Sequence, residues 1–339
     1  MSTKQEGTIL ELYNIEKDYG DVKALQGLEF SINKGEIIGY IGPNGAGKTT
    51  TIKIIVGLIR DYGGEVLFDG NPIEKNRKDF SKKIGYLPQE VGFQEWRTVY
   101  HALKTFGLLS GMDPDVIDVR IKFILKQVGL FDVSSRKINH LSGGMKQKLR
   151  LAQALLHAPE ILILDEPMSG LDPTSRYEMK QIILELAKKD ITIFFSSHIL
   201  SDVENIADRI AIIDKGRIKR IGRPEVLQKE FNLGNKIEIH LKEGHILQQE
   251  DFLKSCGFVE KLGHMAKNKY LIELESDLEI DQAINQMLSY FVQNTIPLHL
   301  FKIQKPSLED VYLHYIAPKP NQGDKNTKPQ KEEPQGGDQ

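Results

Sequence analysis

The chain has 339 residues, enough for about two domains and for a core that needs no disulfide staples. Basic and acidic residues number 45 and 47, a net charge of -2, which speaks against tight nucleic-acid binding. A single cysteine, Cys256, excludes an intrachain disulfide and makes a structural zinc site untenable; it reads as a half-buried, inert residue.

From Ile9 onward the pattern changes along the chain. The first 35 residues alternate like an antiparallel hairpin, with Leu10, Leu12 and Ile15 answered by Leu28, Phe30 and Ile32. Glu36–Ile41 reads as a buried strand, followed by a glycine-rich turn and a helical run from Lys48 to Leu58. Residues 93–140 look mostly helical and form a candidate insertion. Ile161–Leu164 is a second buried strand, Ser175–Lys188 a helix and Ile191–Ser196 a third strand. Strands alternating with helices predict parallel βαβ units and an α/β class.

After Arg223 the alternation predicts a second, smaller unit. Ile237–Leu241, a weak strand near Phe258–Leu262, Tyr270–Leu274 and Leu298–Ile303 are interleaved with helices at Leu247–Lys254 and Ile280–Phe291. That β-α-β-β-α-β order suggests a ferredoxin-like module. A closing helix is expected over Ser307–Ile316. Pro318–Gln339 contains no aliphatic or aromatic residue besides proline, cannot offset its ordering entropy by burial, and reads as a disordered tail. The N-terminus has no apolar segment of signal-peptide type, and no stretch approaches the roughly 18 apolar residues of a membrane span. A cytosolic protein is the expectation, so that any membrane work requires a separate membrane partner.

The strongest chemical signal is Gly42-Pro43-Asn44-Gly45-Ala46-Gly47-Lys48-Thr49, which fits G-x-x-x-x-G-K-[ST] between a predicted strand and a predicted helix. Glycines let such a loop curl so that its N–H groups converge on phosphate oxygens, and the helix start adds positive dipole. Lys48 suits the β- and γ-phosphates, the Thr49 hydroxyl suits Mg²⁺, and Thr50 can donate to an α-phosphate. A second signal is Asp165-Glu166 at the end of the strand Ile161–Leu164. Parallel strands present ligand sites at their C-terminal ends. Asp165 is placed to hold Mg²⁺, directly or through water, and Glu166 to polarise an attacking water.

Leu141-Ser142-Gly143-Gly144-Met145-Lys146-Gln147 resembles the signature motif of ATP-binding-cassette (ABC) ATPases, and other motifs of that family stand in the expected order. Tyr19 matches the aromatic that stacks on adenine, Gln89 the Q-loop glutamine, Ser169-Gly-Leu-Asp172 the D-loop, and His198 the switch histidine. Met145 departs from the commoner glutamine. The resemblance spans about Ile9 to Gly222. It implies a P-loop ABC ATPase cassette: a RecA-like core, an N-terminal antiparallel β region and a helical subdomain at about 93–150, within a domain at 8–224. A small α+β domain at 235–317 would follow.

By this resemblance Ser142, Gly143 and Gly144 present a helix start to the γ-phosphate of ATP held by a second subunit, in a head-to-tail homodimer. Gln89 senses Mg²⁺ and the water, His198 holds the γ-phosphate and orients Glu166, and Asp172 couples the two sites. Lys48, Gln89, Glu166 and His198 form the catalytic set. Pro306-Ser-Leu-Glu-Asp-Val-Tyr-Leu313 resembles the C-terminal extension of ABC-2-type exporter ATPases. An exporter subunit at the cytoplasmic face of the membrane, driving integral membrane permeases, is therefore expected. A non-transport ABC ATPase, an importer ATPase with a regulatory C-terminal domain and a phosphate-binding switch are the alternatives; the switch predicts damage at Glu166 or His198, and both are intact. Phe93, Trp96, Val99 and Tyr100 form either the permease-docking groove or the small core of the helical insertion, and the sequence leaves both open.

Overall fold

The computed structural model describes residues 7–90, 92–230, 236–275, 280–304 and 308–316. The predicted tail, Pro306 and Ser307 lie outside them.

Strands β1 (Thr8–Tyr19) and β2 (Val22–Asn33) pair antiparallel with Leu12 opposite Phe30 and Ile15 opposite Leu28. The tight turn between them places Gly20 at φ +57°. Strand β3 (Ile37–Ile41), buried throughout, leads into the glycine-rich loop and helix α1 (Lys48–Ile55). Strands β4 (Gly63–Phe68) and β5 (Asn71–Pro72) return to the first sheet, whose order is β2-β1-β4-β5. Helix α2 (Arg77–Lys83) and strand β6 (Ile84–Leu87) follow.

The predicted helical insertion consists of α3 (Val99–Leu109), α4 (Pro114–Gln127), two short 3₁₀ turns (Phe131–Val133 and Ile138–His140) and α5 (Gly143–Leu155). Each helix starts on a side-chain cap: Thr98 accepts from the His101 N–H, Asp113 from Asp115 with Pro114 next, and Ser142 from Met145. Ile117, Ile121 and Ile124 of α4 bury one stripe in the core that also takes Leu149 and Leu155 of α5. Of the four residues left open by sequence, Val99 is core, Phe93 and Tyr100 are half-buried against that core, and Trp96 is 67% exposed.

The chain then runs through β7 (Ile161–Leu164), α6 (Pro173–Ala187), β8 (Thr192–Ser197), α7 (Leu200–Val203), β9 (Arg209–Asp214), β10 (Arg217–Gly222) and α8 (Pro224–Glu230). The central sheet has the order β10-β9-β3-β8-β7-β6. It is parallel from β9 to β6, and β10 pairs antiparallel at its edge. Its strands are covered on both faces: Leu162 and Leu164 point into one core, Ile161 and Ile163 into the other. Because the strands share a direction, the segments after β3, β6, β7 and β8 emerge at one end of the sheet. Those segments carry the phosphate loop, Gln89, Asp165-Glu166 and His198.

A third sheet is built from β11 (Lys236–Leu241), β12 (Val259–Ala266), β13 (Lys269–Leu274) and β14 (Leu298–Gln304), with α9 (Gln249–Ser255) and α10 (Ile280–Gln293) in the connections. Its order is β12-β13-β11-β14, with every pair antiparallel. Ile237, Ile239, Tyr270 and Ile272 form its core with Phe252, Met287 and Phe291 of the helices. Cys256 belongs to that core and is fully buried, where a half-buried position was expected; desolvation pushes its thiol up to about 11. It is accordingly inert at neutral pH.

The closing helix α11 (Leu308–Ile316) corrects the sequence-based partition, which put it in the C-terminal unit at 235–317. Leu308 and Val311 are buried in the core shared with Ile210 and Ile212 of β9 and Leu227 of α8, not in the core of the third sheet. The amphipathic period predicted the helix, but periodicity does not say which of two apolar surfaces a stripe covers. Leu308→Ala is expected to destabilise the protein by about 2–5 kcal/mol, the usual cost of a large-to-small change in a packed core. Denaturant unfolding of the full chain checks this, and an unchanged midpoint would show the contact to be energetically idle.

Candidate functional site

The phosphate loop is held from behind by three pieces of chain. A Cβ on Gly42 would lie 2.3 Å from the Ile213 carbonyl oxygen, and one on Gly47 would lie 2.8 Å from that of Ala24. Gly47 also sits at φ +108°, a conformation that favours glycine, and ends directly on α1. The Gly216 N–H donates to the Ala46 carbonyl (2.9 Å), so the β9–β10 turn braces the loop. Asn44 and Gly45 form its exposed tip, while Pro43, Thr49 and Thr50 are half-buried.

Lys48 is 6% exposed, and its Nζ donates to the carbonyls of Gly42 (2.7 Å) and Pro43 (3.2 Å). Its Nζ lies 3.8 Å from Glu166 Oε1. Burial pulls the ammonium below its usual range, and the carboxylates of Glu166 and Asp165 oppose that. Asp165 is buried as well, and burial raises its carboxyl above the usual range; the hydroxyls of Ser196 and Thr49 and the charge of Lys48 act the other way.

Ser196 organises the acidic pair. Its Oγ donates to Asp165 Oδ1 (2.7 Å) and accepts from the Glu166 N–H (2.9 Å). Glu166 adopts φ +48°, a left-handed conformation costly for a non-glycine residue and held here by that hydrogen bond. The turn aims the Glu166 side chain at His198, whose Nδ1 lies 3.1 Å from Glu166 Oε2. Lys48, Asp165, Glu166 and His198 thus form one connected group, with Thr49 beside Asp165. Gln89 lies two residues past β6 and is exposed; the Asp165 N–H donates to the Leu87 carbonyl, which sets Gln89's segment beside the acidic pair. The sequence did not single out Ser196. The available signal was a serine at the polar end of an otherwise apolar strand, Phe194-Phe195-Ser196-Ser197, next to the strand that ends in Asp165.

A second group gathers where α5 and α6 begin. Ser142 caps α5, and a Cβ on Gly143 would meet nothing within 4 Å. A Cβ on Gly144 would lie 2.2 Å from Ser175 Oγ, so the two helix starts touch. Asp172 caps α6 by accepting from the N–H (3.0 Å) and the hydroxyl (2.7 Å) of Ser175, and these bonds hold its carboxyl below the usual range. Gln147 Nε2 donates to the Pro167 carbonyl (2.9 Å), joining α5 to the turn that carries Glu166. Tyr19 stands apart at the tip of the β1–β2 hairpin, half exposed, with Lys17 Nζ 5.2 Å from the ring centroid. The same hairpin backs the phosphate loop through Ala24 and Leu25.

The residues present fit a divalent cation of Mg²⁺ type. Asp165 Oδ2 is buried with no hydrogen-bond partner among the described residues, and the Thr49 hydroxyl acts on the same carboxyl group. Among those residues no group of three or more His, Cys, Asp or Glu could hold an ion by itself. Such a sparse oxygen set suits a metal that takes its remaining ligands from water and substrate phosphates.

A phosphate loop facing an acidic strand end across a parallel sheet defines a nucleoside-triphosphatase site. Residues 25–169 match the family described as ABC transporter. The chain is 34% identical over 311 residues to the linearmycin resistance ATP-binding protein LnrL of Bacillus subtilis, covering 90% of this chain and 97% of that one. It is 35% identical over 319 residues to the bacitracin transport ATP-binding protein BcrA of Bacillus licheniformis, covering 91% and 98%. The fold superposes on the dimeric ATP-binding cassette MJ0796 bound to ADP and Pi, with TM-score 0.57 and 25% identity over 63% of this chain and 98% of that one. The chain belongs to the family of ABC transporter ATP-binding proteins, the nucleotide-binding, ATP-hydrolysing subunits of such transporters.

Proposed function

We propose that this chain is the ATPase subunit of an exporter and drives transport through separate integral membrane permeases by ATP-dependent closure of a homodimer. The observation that supports it most is the intact group of Lys48, Glu166 and His198, joined within 3.8 Å. Relatives named for bacitracin transport and linearmycin resistance align along some nine-tenths of this chain, third sheet included. Among the described residues no helix is long and apolar enough to cross a membrane. A place at the cytoplasmic face, held there by the permease, belongs to this reading, and the net charge of -2 gives no support to a nucleic-acid partner.

In this reading the N–H groups of Asn44 to Thr50 receive the phosphates of ATP, and Lys48 exchanges its carbonyl partners for phosphate oxygens. Tyr19 stacks on adenine. Thr49, Asp165 and Gln89 would hold Mg²⁺, which when bound neutralises phosphate charge. Glu166 takes a proton from the attacking water, and His198 keeps Glu166 oriented. Ser142, Gly143, Gly144 and Asp172 act on the nucleotide of the partner subunit, so that loss of the γ-phosphate releases the dimer. The exposed Trp96 is the anchor offered to the permease. The catalytic domain comprises residues 8–224 completed by α11, and the accessory module is confined to 236–304.

Affinity purification of a tagged Glu166→Gln chain from gently solubilised membranes with ATP present tests this. A stoichiometric polytopic membrane protein is expected. A chain recovered from the soluble fraction alone, or with ribosomes, would sink the exporter assignment while leaving the ATPase chemistry standing.

A further inference from the structure

His198 lies in a turn with its own fastening. Ser197 Oγ accepts from the Ile199 N–H (2.9 Å) and donates to the Ile199 carbonyl (3.1 Å), and α7 begins one residue later. Inside α7, four residues after His198, the Asp202 carboxylate is 2% exposed. Lys180 Nζ lies 3.0 Å from Asp202 Oδ1 and also donates to the Ser201 carbonyl (2.7 Å). Arg176 Nε lies 3.9 Å from the same oxygen. Neither Asp202 Oδ1 nor Arg176 Nε makes a well-aligned hydrogen bond, so the contact is ionic in character.

Both cations stand on α6, one turn apart, and so face the same neighbour. α6 starts on the Asp172 cap, against Ser175 and Gly144. One helix therefore touches the Ser142–Gly144 group at its start and the His198 segment along its side. Burying a carboxylate between two cations costs desolvation that an apolar trio of similar volume would avoid, so packing alone does not call for these residues. What an ion pair adds over apolar contact is a fixed register.

We propose that Asp202, through Lys180 and Arg176, is a positioning residue for His198: it fixes the histidine's turn to α6, so that movement of the α5–α6 starts is passed to the Glu166–His198 pair. The proposal rests on the assignment of His198 to the switch role. In the closed dimer it gives each subunit a path from the surface that meets its partner's nucleotide to the switch over its own.

The test compares steady-state ATPase activity and thermal unfolding of the full chain carrying Asp202→Asn, the double variant Asp202→Asn/Lys180→Met, or His198→Ala. Asp202→Asn is expected to lower kcat about tenfold or more with KM for ATP changed less than twofold. The double variant, with the Asp202–Lys180 charges removed together, is expected to recover thermal stability but not kcat. Recovery of kcat alongside stability in the double variant, or parent-like kcat in Asp202→Asn, would overturn the proposal. Parent-like turnover in His198→Ala would instead overturn the switch assignment, and the proposal with it.

Discussion

Glu166→Gln should retain ATP binding and lose turnover by about 10²–10⁴-fold, the range typical of a positioned general base. The amide keeps the shape of the carboxylate, so the left-handed turn at Glu166 and its hydrogen bond from the backbone to Ser196 are preserved. What disappears is the group proposed to accept a proton from water. Lys48 also loses the carboxylate at 3.8 Å and is left freer to engage phosphate. ATP is then bound but not hydrolysed, and the dimer it closes should persist. Phosphate release gives the first quantity and size-exclusion chromatography with ATP and Mg²⁺ the second. A variant that stays monomeric under those conditions counts against the clamp, and one that hydrolyses at the parent rate removes Glu166 from the catalytic set.

Lys48→Ala should act at the earlier step. Its ammonium is buried and donates to the Gly42 and Pro43 carbonyls of the phosphate loop, and hydrogen bonds to charged groups contribute about 1.5–3 kcal/mol each. Loss of one such interaction weakens ATP binding by about 10- to 150-fold. The substitution also removes the Lys48 charge that opposes the effect of burial on Asp165, which raises the Asp165 carboxyl further from its usual range. Calorimetric titration with ATP separates this variant from Glu166→Gln. Unchanged affinity would show that the backbone N–H groups alone hold the nucleotide.

Much of the site was legible because its residues are local in sequence. The phosphate loop needs glycines at set positions, and Gly42 and Gly47 show why: each stands where a Cβ would strike a backbone oxygen. Ser142 could be read as the start of a helix from its residue type, and it caps α5; that Asp172 caps α6 was seen only in the structure. The antiparallel hairpin was legible in the alternation of the first 35 residues, but its register, which shifts between Leu12 and Ile15, was not.

Residues whose roles come from contacts across the sequence were not legible. Ser196 matters because β8 lies beside β7, which places its hydroxyl between the Asp165 side chain and the Glu166 backbone. Asp202 matters because α6 sets two cations against it. Trp96 and Val99, three residues apart in one aromatic-rich stretch, part company only when α3 turns Val99 inward. By itself the sequence determined the α/β class, the phosphate loop with its strand and helix, and the acidic strand end, since backbone sterics, hydrophobic period and phosphate chemistry act over a few neighbouring residues. Only the tertiary structure decided that Ser196 joins the acidic pair, that α11 leaves the third sheet for the catalytic core, and that Asp202 is fastened to α6. Each of these depends on which buried surfaces meet, and that is set by the packing of distant segments against one another.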